Sequence, residues 1–179
     1  MRIETNIQGR KTPFCDVFDA AFTASEGPQE GQVIRDLASR LLASTPETDM
    51  IAVAATSANA IMGGCLLTRL RFAQDPRVVW LLSPVAVHPD HQGTGVGQAM
   101  LAQALNDLRA RGADAAITYG DPAFYKKVGF GPISAAIAAP PYPLSQPHGW
   151  LGQSLNDAPL RPLAGSSSCA AALADPVFW

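Results

Sequence analysis

Apolar residues between positions 14 and 22 recur at helical spacing, with Phe14, Val17, Phe18, Ala21 and Phe22 on one face. Thr12-Pro13 predicts the start of this helix, threonine as cap and proline in the first turn. Gly27 and Pro28 interrupt the pattern within Ser25–Gln29. It resumes as two adjacent stripes, Val33, Leu37, Leu41 and Ile34, Ala38, Leu42, until Thr45-Pro46 stops it. The alternation at Arg2–Ile7 predicts an opening strand. From Met50 the period changes. Met50–Ser57 and Ala60–Phe72 are apolar and partly β-branched, and predict an antiparallel hairpin turning at Ala58-Asn59. Gly63-Gly64 inside the second strand marks a bulge or a close approach by another group. Gln74-Asp75-Pro76 then turns the chain into a third strand, Val78–Val87. Pro84 cannot donate to a ladder, so a break or splay is expected there.

A third amphipathic helix is predicted over Gly95–Arg111, burying Val96, Met100, Leu101, Ala104, Leu105 and Leu108, with Gly112 as its C-terminal cap. The strand that follows, Asp114–Tyr119, completes a strand–helix–strand unit, which is normally a parallel crossover. Asp121-Pro122 starts a short helix to about Lys127, Gly129 ends it, and Phe130–Ala138 begins another strand. From Pro140 the chain is rich in proline and glycine, with one further strand at Trp150–Leu155 and an apolar tail, Val177-Phe178-Trp179. No internal repeat is evident. The fold class expected is α/β (α+β): one domain over residues 1–179, a mixed sheet with helices on both faces, and a loop-rich extension over 140–179.

Composition narrows the partners. The 179 residues are 47% hydrophobic and 16% charged, with a net charge of −2. That balance describes a soluble globular chain and argues against nucleic acid, which needs a basic face. The apolar runs are too short or too glycine-broken to cross a bilayer, and Arg2 and Glu4 stand where a signal peptide would turn apolar. Cys15, Cys65 and Cys169 are odd in number and far apart, which suits buried thiols in a reducing compartment. A cytoplasmic protein without a membrane partner is expected.

The stretch richest in chemistry is Gln92-Gly93-Thr94-Gly95-Val96-Gly97. A glycine-rich turn feeding a helix start directs several backbone N–H groups to one point, and the helix dipole makes that point suited to phosphate. Two common phosphate signatures do not fit. The dinucleotide fingerprint needs a small residue where Gln98 stands, and the P-loop needs a lysine that is absent between Arg77 and Lys126. The spacing that remains is Q-x-x-G-x-G. With its preceding Leu82–Asp90 segment, and with the block Gly120-Asp121-Pro122-Ala123-Phe124-Tyr125-Lys126-Lys127-Val128-Gly129-Phe130 about thirty residues on, it resembles the two signatures of the GNAT superfamily of acyl-CoA-dependent N-acyltransferases. The G-D-P-x-x-Y form is similar to that of the YhbS-like branch. The resemblance runs from about Val78 to Ile133.

The resemblance implies a mostly antiparallel sheet with a central splayed strand, acetyl-CoA (or another acyl-CoA) as co-substrate, no metal, and direct attack by an amine in a ternary complex. It implies pyrophosphate contacts at Gln92, Gly93, Thr94, Gly95, Val96, Gly97 and Gln98. The pantetheine arm would lie along Val85, Ala86 and Val87, and Asp121, Pro122, Phe124 and Tyr125 would lie toward the thiol end. Tyr125 matches the family tyrosine that protonates the leaving thiolate; the same residue also reads as an aromatic packed beside Phe124 and Phe130. Asp121 reads equally well as a helix N-cap. An alkylamine acceptor is only about 0.04% neutral at pH 7, so a base is needed. Glu30 matches a position where relatives carry an acidic residue, Glu26 has a similar claim, and a water relay is a third route.

Other constellations carry less. His88 and His91 form H-x-x-H without a third ligand nearby, which is poor for a metal. Cys65 has no identifiable partner histidine. The acceptor is expected to be a small-molecule or peptide amine. The apolar tail either tucks against the chain's own body or joins a homodimer. The alternative to an enzyme is a non-catalytic sensor that binds acyl-CoA with Tyr125 dispensable.

Overall fold

The computed structural model describes every residue from Met1 to Trp179 except Asn59. In chain order the elements are β1 (Arg2–Glu4), α1 (Lys11–Glu26), α2 (Pro28–Ser44), β2 (Met50–Ser57), β3 (Ala60–Phe72), β4 (Asp75–Val87), α3 (Val96–Ala110), β5 (Ala115–Tyr119), α4 (Pro122–Tyr125), β6 (Gly131–Pro132), β7 (Trp150–Ser154) and β8 (Ser167–Ser168). The protein is a mixed α/β fold with a mostly antiparallel open sheet, and the pair β4–β5 is parallel. Two compact units are distinguished: Met1–Leu67 with Ser83–Ala104, and Thr68–Leu82 with Leu105–Trp179.

The first unit carries strands in the order β1-β2-β3-β4. β1 pairs antiparallel with β2 from Arg2↔Thr56 to Glu4↔Ala54. Its core forms where the helical stripes meet the strands: Phe14, Phe18, Leu37, Leu41 and Leu66 are fully buried, and the rings of Phe14 and Phe18 meet edge to face at 5.3 Å. Each such side chain contributes about 1.5–3 kcal/mol on burial. The paired glycines of β3 show how the helices reach the sheet. A Cβ on Gly64 would stand 3.0 Å from both Phe14 and Phe18 of α1, whereas one on Gly63 would stand 3.1 Å from the Ala86 carbonyl and 3.5 Å from Val96 and Met100 of α3. Successive residues of a strand face opposite ways. Helices α1 and α3 therefore cover opposite faces of this unit, and the missing side chains let both come close.

The second unit carries β3-β4-β5-β7-β6, with β8 antiparallel on β3 at Arg71↔Ser168 and Phe72↔Ser167. β4 and β5 run parallel from Val79↔Ala115 to Leu82↔Thr118, and the Thr118 hydroxyl donates to the Leu82 carbonyl at 2.9 Å. No register pair with β5 follows Leu82 among the described residues. The Ser83–Pro84 bond is cis. β4 itself continues through Pro84 to Val87, without the break that was one of the two expectations for the proline. The core of this unit is largely aliphatic, with Leu81, Leu82 and Ile117 fully buried, and an aromatic group joins it. Trp150 donates to the Ala138 carbonyl at 2.9 Å and Trp179 to the Leu173 carbonyl at 3.0 Å. Trp179 also stacks on Tyr119 and meets Trp150 edge to face. The tail ring is buried in its own chain, the first of the two fates its sequence allowed; Val177 beside it is exposed.

Several expected boundaries move. α1 begins at Lys11, and no side chain caps it, so Thr12 lies inside the first turn. β1 ends at Glu4, short of Ile7. Only Gly27 separates α1 from α2. β4 begins at Asp75, so the turn before it is Ala73-Gln74. The strand expected over Phe130–Ala138 is two residues long, because the N–H groups of Ile137 and Ala138 curl back onto the Ser134 carbonyl. Ala58 of the expected hairpin turn has φ +46°, and Asn59 lies outside the described residues.

Candidate active site

In the first unit, β4 ends at Val87 and the chain enters a single 3-10 turn, Pro89–His91. His88 caps that turn: its Nδ1 accepts from the Asp90 N–H at 3.3 Å, and its own N–H donates to the Met62 carbonyl at 2.8 Å. His88 is thereby occupied in holding the loop. No group of three His, Cys, Asp or Glu side chains suited to a metal exists among the described residues. Next comes the glycine turn. Gln92 donates from Nε2 to the Val87 carbonyl at 3.0 Å, and Thr94 donates from its hydroxyl to the His91 carbonyl at 2.6 Å. Both side chains brace the turn from within.

Gly93 and Gly95 have φ of +72° and +85°, in the left-handed region that disfavours any Cβ, while nothing lies within 4 Å of where a Cβ would be. These glycines serve the path of the backbone. That path opens α3: the Ala99 N–H is the first to close a helical bond, onto the Gly95 carbonyl at 3.0 Å. The N–H groups of Gly95, Val96, Gly97 and Gln98 consequently have no intrahelical acceptor. Residues 92–95 and Gln98 are exposed, and Val96 and Gly97 are buried. Val85 and Val87 are half-buried and Ala86 is buried. The structure thus brings Val85–Val87 and Gln92–Gln98 together at one end of α3. Glu30 lies in the first turn of α2 and is half-buried, while Glu26, at the end of α1, is exposed. No hydrogen bond links either glutamate to the turn among the described interactions.

In the second unit, Asp121 caps α4 by accepting from the Ala123 N–H at 2.9 Å, the N-cap role its sequence allowed. Pro122 and Phe124 are half-buried and Tyr125 is buried. The Tyr125 ring meets Phe124 at 5.1 Å and Phe130 at 5.6 Å, both edge to face. Gly129, at φ +93°, ends the 3-10 turn that extends α4. Cys65, in neither group, is fully buried, and burial pushes its thiol far above the usual range. It is a core residue rather than a nucleophile.

Residues 47–132 match the family profile described as "Acetyltransferase (GNAT) domain". The chain is also 31% identical, over 140 residues, to the "Uncharacterized N-acetyltransferase YjhQ" of Escherichia coli K12, covering 75% of this chain and 77% of that protein. This chain belongs to the GNAT acetyltransferase family. Solved structures carry the same fold at lower identity. A GNAT family acetyltransferase from Brucella melitensis, solved in complex with acetyl-CoA, has a TM-score of 0.70 at 20% identity, covering 96% of this chain and 97% of that one. YhbS from Escherichia coli, solved in complex with CoA, has the same score and identity, covering 96% and 89%. The GNAT chain described here is therefore an acetyl-CoA-dependent N-acetyltransferase by family. Among its described residues, no helix is long and apolar enough to cross a membrane.

Two features of this candidate site were half visible or hidden in the sequence. Gly63 announces a close approach, but its partners, Ala86, Val96 and Met100, follow it by 23 residues or more. The side chain of Gln92 has no sequence signal for its bond to Val87, which depends on how the turn folds back.

Proposed function

We propose that this protein transfers an acetyl group from acetyl-CoA to the amine of a small molecule or peptide, by direct attack in a ternary complex. The amine nitrogen attacks the thioester carbonyl, its proton passes to a base, the C–S bond breaks, and the thiolate takes a proton to leave as CoA. The observation that carries this function is the start of α3, where the N–H groups of Gly95 to Gln98 are left without helical acceptors behind an exposed turn braced by Gln92 and Thr94. Such a cradle suits the pyrophosphate, with Gly93, Thr94 and Gly95 letting it approach. The backbone of Val85–Val87, beyond the end of the β4–β5 ladder, suits the amides of the pantetheine arm.

Tyr125 is the proposed acid for the thiolate, and Glu30 the proposed base, acting directly or through water. Asp121, Pro122 and Phe124 accompany Tyr125 on the thiol side. The whole chain, 1–179, acts as one GNAT domain in this account. Its three free cysteines suit the reducing cytoplasm.

The test is thiol release from acetyl-CoA across a panel of primary amines, with wild type and Tyr125→Phe. Turnover by the wild type, reduced in kcat by the substitution while CoA affinity is kept, supports an enzyme with a phenolic acid. Tight CoA binding without turnover on any amine would make the protein a sensor instead.

A further inference from the structure

Gly120 is a glycine for a reason that its backbone does not explain. Its φ lies outside the left-handed region, so the main chain there would accept an L side chain. What forbids one is a single neighbour. A Cβ on Gly120 would stand 2.9 Å from Cε2 of Tyr125, 3.7 Å from its Cδ2 and 3.8 Å from its Cζ. All three atoms belong to one edge of the ring, and Cζ is the carbon that bears the hydroxyl. We infer that Gly120 is a positioning residue: the space where its side chain would be is the seat of the Tyr125 ring, and it sets where the phenol stands.

The seat is held from behind. The Gly120 N–H donates to the Gly149 carbonyl at 3.0 Å. Gly149 in turn has no room for a side chain, because a Cβ there would stand 2.9 Å from the Gly120 carbonyl and 3.3 Å from the ring of Tyr119. Gly120 therefore cannot retreat toward Gly149 to make space. Phe124 and Phe130 also pack against the ring, with centroids 5.1 and 5.6 Å away. Carbon atoms pack best at about 3.5–4.0 Å, so a methyl group at position 120 moves the ring edge by at least roughly half an ångström. For a group that must meet a leaving sulfur, a displacement of that order costs about tenfold in rate.

This inference rests on the acid role proposed for Tyr125, and its test separates the two. Gly120→Ala, Tyr125→Phe and the double variant are compared in thiol release from acetyl-CoA with a panel of primary amines, and CoA affinity is measured by calorimetry. Gly131→Ala is the control, since a Cβ at that position meets nothing within 4 Å. The expected result is a kcat loss of about tenfold in Gly120→Ala with CoA affinity kept, and less than about a twofold further loss when it is added to Tyr125→Phe. Wild-type kcat in Gly120→Ala, or an equal loss on both backgrounds, overturns the positioning role. Unchanged turnover in Tyr125→Phe, or no thiol release by the wild type, overturns the acid role and the inference with it. Should Gly120→Ala fail to fold, the pair Gly120→Ala/Tyr125→Ala decides. Restored folding confirms the seat, and a double variant that also fails assigns the clash elsewhere and overturns it.

Discussion

Gln92 Nε2 donates to the carbonyl of Val87 at 3.0 Å, so the first residue of the phosphate-type turn is tied to the last residue of the central strand. The first signature residue of the motif thus works as a brace, and the backbone that follows it is the part proposed to bind. Removing the brace should loosen the turn without touching the reacting atoms. Gln92→Ala is expected to raise the KM for acetyl-CoA about three- to tenfold, the worth of one hydrogen bond, with kcat nearly unchanged. A steady-state split of KM and kcat checks it.

The two neighbouring glycines of β3 give a paired prediction. Gly63→Ala and Gly64→Ala should each lower the thermal midpoint, because each Cβ meets packed atoms at 3.0–3.1 Å. Only Gly63 presses on Val96 and Met100 at the start of α3. CoA affinity measured by calorimetry should therefore fall in Gly63→Ala and stay level in Gly64→Ala. Equal affinity in the two would separate the start of α3 from the cofactor.

Asp75 anchors the C-terminal extension in the second unit. Its carboxylate accepts from the Arg77 guanidinium at 2.6 and 2.8 Å and from the Ala164 N–H at 3.0 Å, while Arg77 also donates to the carbonyls of Arg161 and Pro162. The hydrogen bonds from Arg77, more than any other cause, hold this carboxyl well below the usual range, against the opposing effect of burial. A group whose folded pKa is depressed stabilises above its unfolded value, about 3.9, and that contribution is lost as pH falls through the folded value. Wild-type stability should thus fall on acidification below about pH 4. Asp75→Asn should be less stable at neutral pH and show a shallower acid loss, read from urea midpoints across that range.

Trp179 packs against the rings of Tyr119, Tyr142 and Trp150, and its indole N–H donates to the Leu173 carbonyl. Trp179→Ala should cost about 3–5 kcal/mol, read as a lower thermal or urea midpoint. Because the ring is buried in its own chain, the sedimentation mass should not change.

Where a continuous apolar run met a sheet buried on both faces, the sequence was readable to the residue: β2 and β3 carry the bounds their apolar runs predict. The parallel crossover from β4 through α3 to β5 followed from the strand–helix–strand order of the pattern. What stayed hidden depends on partners remote along the chain. β8 is two serines with no pattern, paired to Arg71 and Phe72 almost a hundred residues earlier. The Asp75–Arg77 clasp closes on residues 161–164. Ser134–Ala138 is apolar enough to read as strand, yet its N–H groups find a nearer acceptor in Ser134. In the site, the turn was legible because its glycines and helix signal are local. The use of Gln92 as a brace, and of Gly120 as a seat, emerges only when side chains have positions.

The central claim is that the start of α3 holds the pyrophosphate of acetyl-CoA. Calorimetric titration of CoA and of pantetheine, which shares the arm and thiol but lacks the pyrophosphate, tests it most directly. Two or more charge-assisted hydrogen bonds at the turn predict that CoA binds about 100-fold more tightly or better. Equal affinities for the two ligands, or no heat from CoA at millimolar concentration, would contradict the account.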